Sequence, residues 1–109
     1  MEKLKLIKEL LENKKAEDIV ILDVSKLTNL ADYFVIATAN STTHARALAD
    51  YLEEELEKRG IEIDHIEGKD YGHWILIDLI DTIVHIFTPE TREYYGLEWI
   101  WADAKKMEV

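Results

Sequence analysis

The side chains best suited by type and spacing to bind a metal or move a proton are four histidines, His44, His65, His73 and His85, and two carboxylates, Asp78 and Asp81. His73 and His85 could approach each other across what reads as a hairpin, and with Asp78 or Asp81 they could form a sparse metal site. The plainer expectation is that His85, between Val84 and Ile86, points to one face of a strand and hydrogen-bonds a neighbour. Asp78 and Asp81 interrupt an apolar stretch, and a buried unpaired carboxylate costs several kcal/mol. Both should therefore be exposed, paired or capping a turn. Paired carboxylates can serve acid/base or two-metal chemistry. The spacing Asp78-Leu-Ile-Asp81, however, does not put both on one face of a strand. The chain carries no Gly-rich phosphate loop, no Cys/His metal spacing, no His-Glu-x-x-His and no nucleophile elbow. The expectation is a protein that is not an enzyme, with no catalytic residue, cofactor or metal assigned.

The elements that must position these groups follow from periodicity. Leu4, Ile7 and Leu11, with Leu6 and Leu10, recur at helical spacing and predict a helix to about Asn13. Ile19 to Leu22 is a β-branched run, apolar on both faces, and reads as a central strand covered on both sides. Tyr33 to Ala37 predicts a second strand. Asn40-Ser41-Thr42 offers capping oxygens to a helix whose stripe is Ala45, Leu48, Ala49, Leu52 and Leu56, ended at Gly60. Ile61, Ile63 and Ile66 mark a short strand. Trp74 to Asp78 and Ile83 to Phe87 predict an antiparallel hairpin around Asp81. Thr88-Pro89-Glu90 opens a short helix that reaches about Gly96. The tail from Leu97 should be ordered in its first half. Strand, helix, strand implies a parallel crossover, and the hairpin adds an antiparallel pair. The fold class is therefore α/β: a single domain over residues 1–109, with a mixed β-sheet of about five strands and helices packed on it.

Composition narrows the partners. Thirteen Lys and Arg against 23 Asp and Glu give a net charge of −10, which repels a phosphate backbone, so no direct grip on nucleic acid is expected. A basic protein is easier to accommodate. Nine carboxylates and three basic residues fall between positions 50 and 70, as a solvated helix face and loop would have them. Seven of the ten aromatics lie between Tyr71 and Trp101, more than a small domain readily buries, so core and interface share them. With no cysteine, disulfide and thiol chemistry drop out. No run approaches the ~20 apolar residues of a membrane helix. Met1-Glu2-Lys3-Leu4 resembles neither a secretory signal nor a transit peptide, so a cytoplasmic location is expected.

Seven stretches, in order, give the chain its resemblance to the Iojap/RsfS family of ribosomal silencing factors: Asp18-Ile-Val-Ile-Leu-Asp-Val24; Ala31-Asp-Tyr-Phe-Val-Ile-Ala37; Ser41-Thr-Thr-His44; Glu67-Gly68; Trp74-Ile-Leu-Ile-Asp78; Asp81-Thr-Ile-Val-His-Ile-Phe87; and Arg92-Glu-Tyr-Tyr-Gly-Leu-Glu98, followed by Trp101-Ala-Asp103. Each string is weak alone; in sequence they carry a resemblance that covers about residues 4 to 104. The resemblance implies a nucleotidyltransferase-like fold without a catalytic role. It further implies binding to ribosomal protein L-fourteen of the large ribosomal subunit, with small-subunit joining blocked sterically and translation repressed when nutrients are short. Carried over to this chain, the implied contact neighbourhood is Trp74, Asp78, Asp81, His85, Arg92, Tyr95, Leu97 and Glu98. Two positions depart from the family pattern: Ile80 stands where glycine is common, and Trp99 where a basic residue is common. Two alternatives remain beside this one. The first is a nucleotide-handling enzyme using the Asn40-Ser41 turn, and the second is a self-associating homodimer built on the surplus aromatics.

Overall fold

Leu4, Ile7, Leu10 and Leu11 form one buried stripe of the first helix, α1 (Glu2–Asn13), whose other side is polar. The computed structural model describes residues 2–109. β1 (Glu17–Asp23) and β2 (Tyr33–Thr38) pair antiparallel. α2 (Thr42–Lys58) begins where Ser41, in extended conformation, accepts the His44 amide on its hydroxyl. Its stripe from Ala45 to Leu56 is buried, as the periodicity requires. β3 (His65–Glu67), β4 (Trp74–Asp78) and β5 (Thr82–Phe87) then form an antiparallel meander. α3 (Pro89–Tyr95) has Pro89 in its first turn and ends at Gly96, whose φ of 58° suits a residue without a Cβ. α4 (Leu97–Ile100) and β6 (Lys105–Lys106) order the tail.

The strands make one mixed sheet in the order β3-β4-β5-β2-β1-β6. The α2 crossover carries the chain from β2 to the far edge, and the meander returns it so that β5 lies parallel to β2. The mixed α/β sheet and the hairpin match the sequence reading; the sheet has six strands rather than about five because β6, only two residues long, leaves no periodic signal.

Two other details differ. β1 is not central, since only β6 lies outside it, paired at Leu22 and Asp23. Its apolar run reports layers above and below the sheet, with Ile21 in one cluster and Leu22 in the other, and says nothing about lateral neighbours. Ile61 and Ile63 do pack against the core, but from outside the ladder, which starts only after the Asp64 amide reaches the Asp78 carbonyl.

Strand alternation divides the core in two. One face meets α1 and α2 through Val35, Ala37, Ile75, Ile77, Val84 and Ile86, all fully buried. The other carries Leu22, Phe34, Ile36, Ile83 and Phe87 beneath Leu97, Trp101 and Ala104, with Trp74 and Leu76 only half-buried at its margin.

Candidate functional site

The register of the β4–β5 hairpin sets the geometry. Trp74 lies opposite Phe87, Leu76 opposite His85 and Asp78 opposite Ile83, so all six side chains emerge on the face away from α1 and α2. Trp74 packs against Phe87 with ring centroids 5.0 Å apart and against Tyr95 of α3 at 4.7 Å. Tyr94 meets Tyr95 edge-on at 5.1 Å, extending the aromatic run outward. Gly68, at φ 88°, lies against the Trp74 carbonyl so closely that a Cβ would collide with it, which gives the Glu67-Gly68 pair a physical role.

His85 is buried, and its Nδ1 accepts the indole N–H of Trp74 at 3.1 Å. Its Nε2 is buried with no partner among the described residues. Burial disfavours the charged ring and lowers its pKa to about 4. A buried donor left without an acceptor costs about 1–3 kcal/mol. The hydrogen-bonded neighbour expected from sequence is Trp74.

The metal arrangement considered from sequence does not assemble. His73 Nδ1 hydrogen-bonds Thr88 Oγ1 at 3.1 Å, His85 lies opposite Leu76, and Asp81 pairs with Lys3. The His/Asp cluster that does form is Asp64, His65 and Asp78, with ligand atoms within 4.8 Å of one another at the exposed edge. Both His65 nitrogens contact carboxylates there, Asp64 and Glu67 at 2.7 Å each, and those hydrogen bonds raise its pKa. The arrangement is that of a surface ion-pair network. At the start of α2, Ser41 caps the helix while His44 takes the Asn40 amide on Nδ1, so the turn proposed for nucleotide handling spends its groups on folding.

Asp78 and Asp81 do what their cost of burial demanded. Asp78 caps the hairpin turn, its Oδ1 accepting the Ile80 amide at 2.8 Å. Asp81 forms an ion pair with Lys3 at 2.6 Å, which holds its carboxyl below the usual carboxylate range. The Asp81 carbonyl also accepts the amides of Asp32 and Tyr33, fastening the turn to the start of β2. Between them Ile80 sits at φ 77°, with the Asp81 amide bonded to the Leu79 carbonyl across it. That is a tight three-residue turn in a region β-branched side chains avoid.

Arg92 is turned inward. Its guanidinium bonds Glu98 at 2.8 Å, the Asp18 carbonyl at 2.7 Å and the Thr38 hydroxyl at 2.8 Å, tying α3 to β1 and β2. Leu97 packs on the second core cluster. Tyr95 and Glu98 border solvent. Beside them runs a groove of about 400 Å³ lined by Glu17, Asp18, Glu93, Glu98 and Trp99. The contact set drawn from sequence omits Tyr94, Trp99 and Ile100, yet these are 83%, 86% and 67% exposed. Their signal in the chain was residue type alone, large apolar side chains in a charged stretch.

These features define a small mixed-sheet α/β domain that offers solvent an acidic surface studded with aromatics. The family profile described as ribosomal silencing factor during starvation, RsfS, matches residues 1–109. The ribosomal silencing factor RsfS of Halalkalibacterium halodurans is 39% identical over 108 residues, covering 99% of this chain and 92% of that protein. A mouse protein named mitochondrial assembly of ribosomal large subunit protein 1 is 36% identical over 99 residues, 88% of this chain and 43% of its own length. A crystal structure of a Chromobacterium violaceum protein superposes with a TM-score of 0.89 at 40% identity, covering 93% of this chain and 84% of that one. The chain belongs to the RsfS family of ribosomal silencing factors.

Proposed function

We propose that this protein represses translation under nutrient limitation by docking on ribosomal protein L-fourteen of the large subunit and standing where the small subunit would join. The observation that carries this reading is the cluster of half-buried Trp74 with Tyr95 and Tyr94, and beside it in sequence the exposed Trp99 and Ile100 of α4, on a chain of charge −10. Aromatic anchors ringed by acid suit a basic protein and repel bare RNA. An interface of ordinary size takes ~800 Å² from each partner, about one-eighth of the 6366 Å² surface of this domain. Occupancy of that kind blocks joining without chemistry. The mouse relative, by its name, also concerns a ribosomal large subunit.

Within the proposed contact set the residues take different parts in this reading. Trp74, Tyr95 and Glu98, which reach solvent, would touch the partner, and Asp78 and Asp81 shape and flank the hairpin tip. His85, Arg92 and Leu97 hold the surface from beneath. Self-association through the same strip is opposed by the like charge of two copies.

The test is co-sedimentation of the purified protein with isolated large subunits, together with a pull-down of L-fourteen and an assay of subunit joining. Binding to both and a lower yield of joined ribosomes are expected. Absence of binding to either would overturn the reading, and binding without any effect on joining would remove the steric block.

A further inference from the structure

An indole N–H can only donate. Trp74 donates a hydrogen bond from Nε1–H to His85 Nδ1, so the proton of the neutral imidazole resides on Nε2, the nitrogen that meets no acceptor. The ring is otherwise enclosed by aromatics, with Phe34 edge-on at 5.0 Å and Phe87 stacked at 6.1 Å. Phenylalanine would fill the same space and remove the orphaned Nε2–H, leaving only the Trp74 indole without its acceptor. Packing therefore does not explain a histidine here, and at 4% exposure neither does contact with a partner. The one thing His85 offers that phenylalanine cannot is an acceptor for Trp74.

Trp74 needs one. It is half-buried, and its remaining aromatic contacts, the tilted rings of Phe87 and Tyr95, are not directional. They permit the indole to turn about its own bonds; a hydrogen bond from Nε1 does not. Holding an interface side chain in one rotamer before docking removes an ordering cost otherwise met during binding.

We infer that His85 is a positioning residue, whose Nδ1 fixes the indole plane of Trp74 in the orientation that the docking surface presents. This rests on the reading of Trp74 as an anchor for the large subunit. The tautomer and the orphaned Nε2–H follow from that role, as the consequence of keeping an acceptor where an apolar ring would be more stable.

Two variants separate positioning from mere structure. His85→Phe keeps the aromatic volume and removes the acceptor; His85→Asn places a carbonyl oxygen near the position of Nδ1 and sacrifices the volume. Each is compared with the wild-type chain for thermal stability and for affinity to isolated large subunits. Solvent exchange of the Trp74 indole N–H is followed by NMR, its signal assigned through single Trp→Phe variants. His85→Phe is expected to melt at or above the wild-type temperature, expose the indole to exchange and bind about three- to tenfold more weakly. His85→Asn is expected to melt lower, yet to protect the indole and recover most of the affinity. The inference is overturned if His85→Phe protects the indole or binds like wild type. It is equally overturned if His85→Asn, once folded, is as weak as His85→Phe, an arm that decides the matter should His85→Phe not fold. If the wild-type chain does not bind large subunits, the functional reading fails, and the indole exchange still shows whether His85 holds Trp74.

Discussion

The face of the sheet under α1 and α2 is built mainly from aliphatic side chains, with Val35, Ile75, Ile77, Val84 and Ile86 closed beneath Leu48, Leu52 and Leu56 and with Tyr33 and Tyr51 packed against them. The opposite face holds Phe34, His85, Phe87 and Trp74, covered by α3, the short α4 and the tail with Trp101, and it opens to solvent at Trp74 and Leu76. The first face is a sealed contact between layers, where buried area and close packing do everything. The second retains a polar hydrogen bond, an orphaned nitrogen and half-exposed rings, features that cost stability and that a core serving only the fold would exclude. The contrast separates a face closed for packing from the face that carries the proposed docking surface.

The largest effect expected from breaking that contrast lies on the closed face. Leu52→Ala should cost about 2–5 kcal/mol of stability, because the neighbouring helix and strands cannot collapse into the cavity. Denaturant melts check this, and the fraction that remains folded should bind large subunits as wild type does. A cost under about 1 kcal/mol would mean that this face is as loose as the other.

Next in size is the acid response of the open face. The pKa of His85 falls from 6.5 to about 4 on folding. A group whose pKa is lowered in the fold contributes stability above its unfolded pKa and loses it as pH drops. The loss should begin below about 6.5 and level off near 4, amounting to roughly 3 kcal/mol at about 1.36 kcal/mol per pH unit. His85→Phe should flatten this part of the stability profile. His65 has the opposite sign: its raised pKa gives stability at lower pH that fades as pH rises through the folded value. Profiles of wild type and His85→Phe that run parallel between pH 6.5 and 4 would contradict burial of a neutral His85.

Trp99→Ala should leave folding nearly untouched, since the side chain is 86% exposed, while weakening large-subunit binding by about thirtyfold, the loss of one hot spot near 2 kcal/mol. Titration of labelled protein against large subunits decides it. Unchanged affinity would confine the docking surface to the hairpin side, around Trp74 and Tyr95.

The smallest effect sharpens the comparison at the tip that joins both faces. Ile80→Gly should raise stability by about 0.5–1 kcal/mol, because relief of the strained φ of 77° outweighs the entropy that glycine adds to the unfolded chain. If binding weakens at the same time, the exposed Ile80 side chain belongs to the interface.

Much of the fold was legible because periodicity is a local property. α1, α2 and the hairpin lie where their stripes and alternation put them, and Ser41, Pro89 and Gly96 terminate helices as their backbone chemistry requires. β1 was misplaced within the sheet because apolar residues on both faces describe what covers a strand and not what pairs with it. β6 was invisible because two residues have no period.

The candidate site divides in the same way. Asp78 and Asp81 could be assigned to a turn and a pair from the cost of burying a carboxylate, a matter of composition and local pattern. The sequence by itself thus determined an acidic mixed α/β domain with aromatics gathered near its C-terminal end, and its motifs identified the RsfS family. Only the tertiary structure decided which aromatics face solvent, that Arg92 spends its guanidinium on Glu98, Asp18 and Thr38, and that His85 holds Trp74. The partners of Arg92 lie up to 74 residues away and those of Trp74 eleven, and such pairings are set by strand register and by the layers above it, which no single stretch of chain contains.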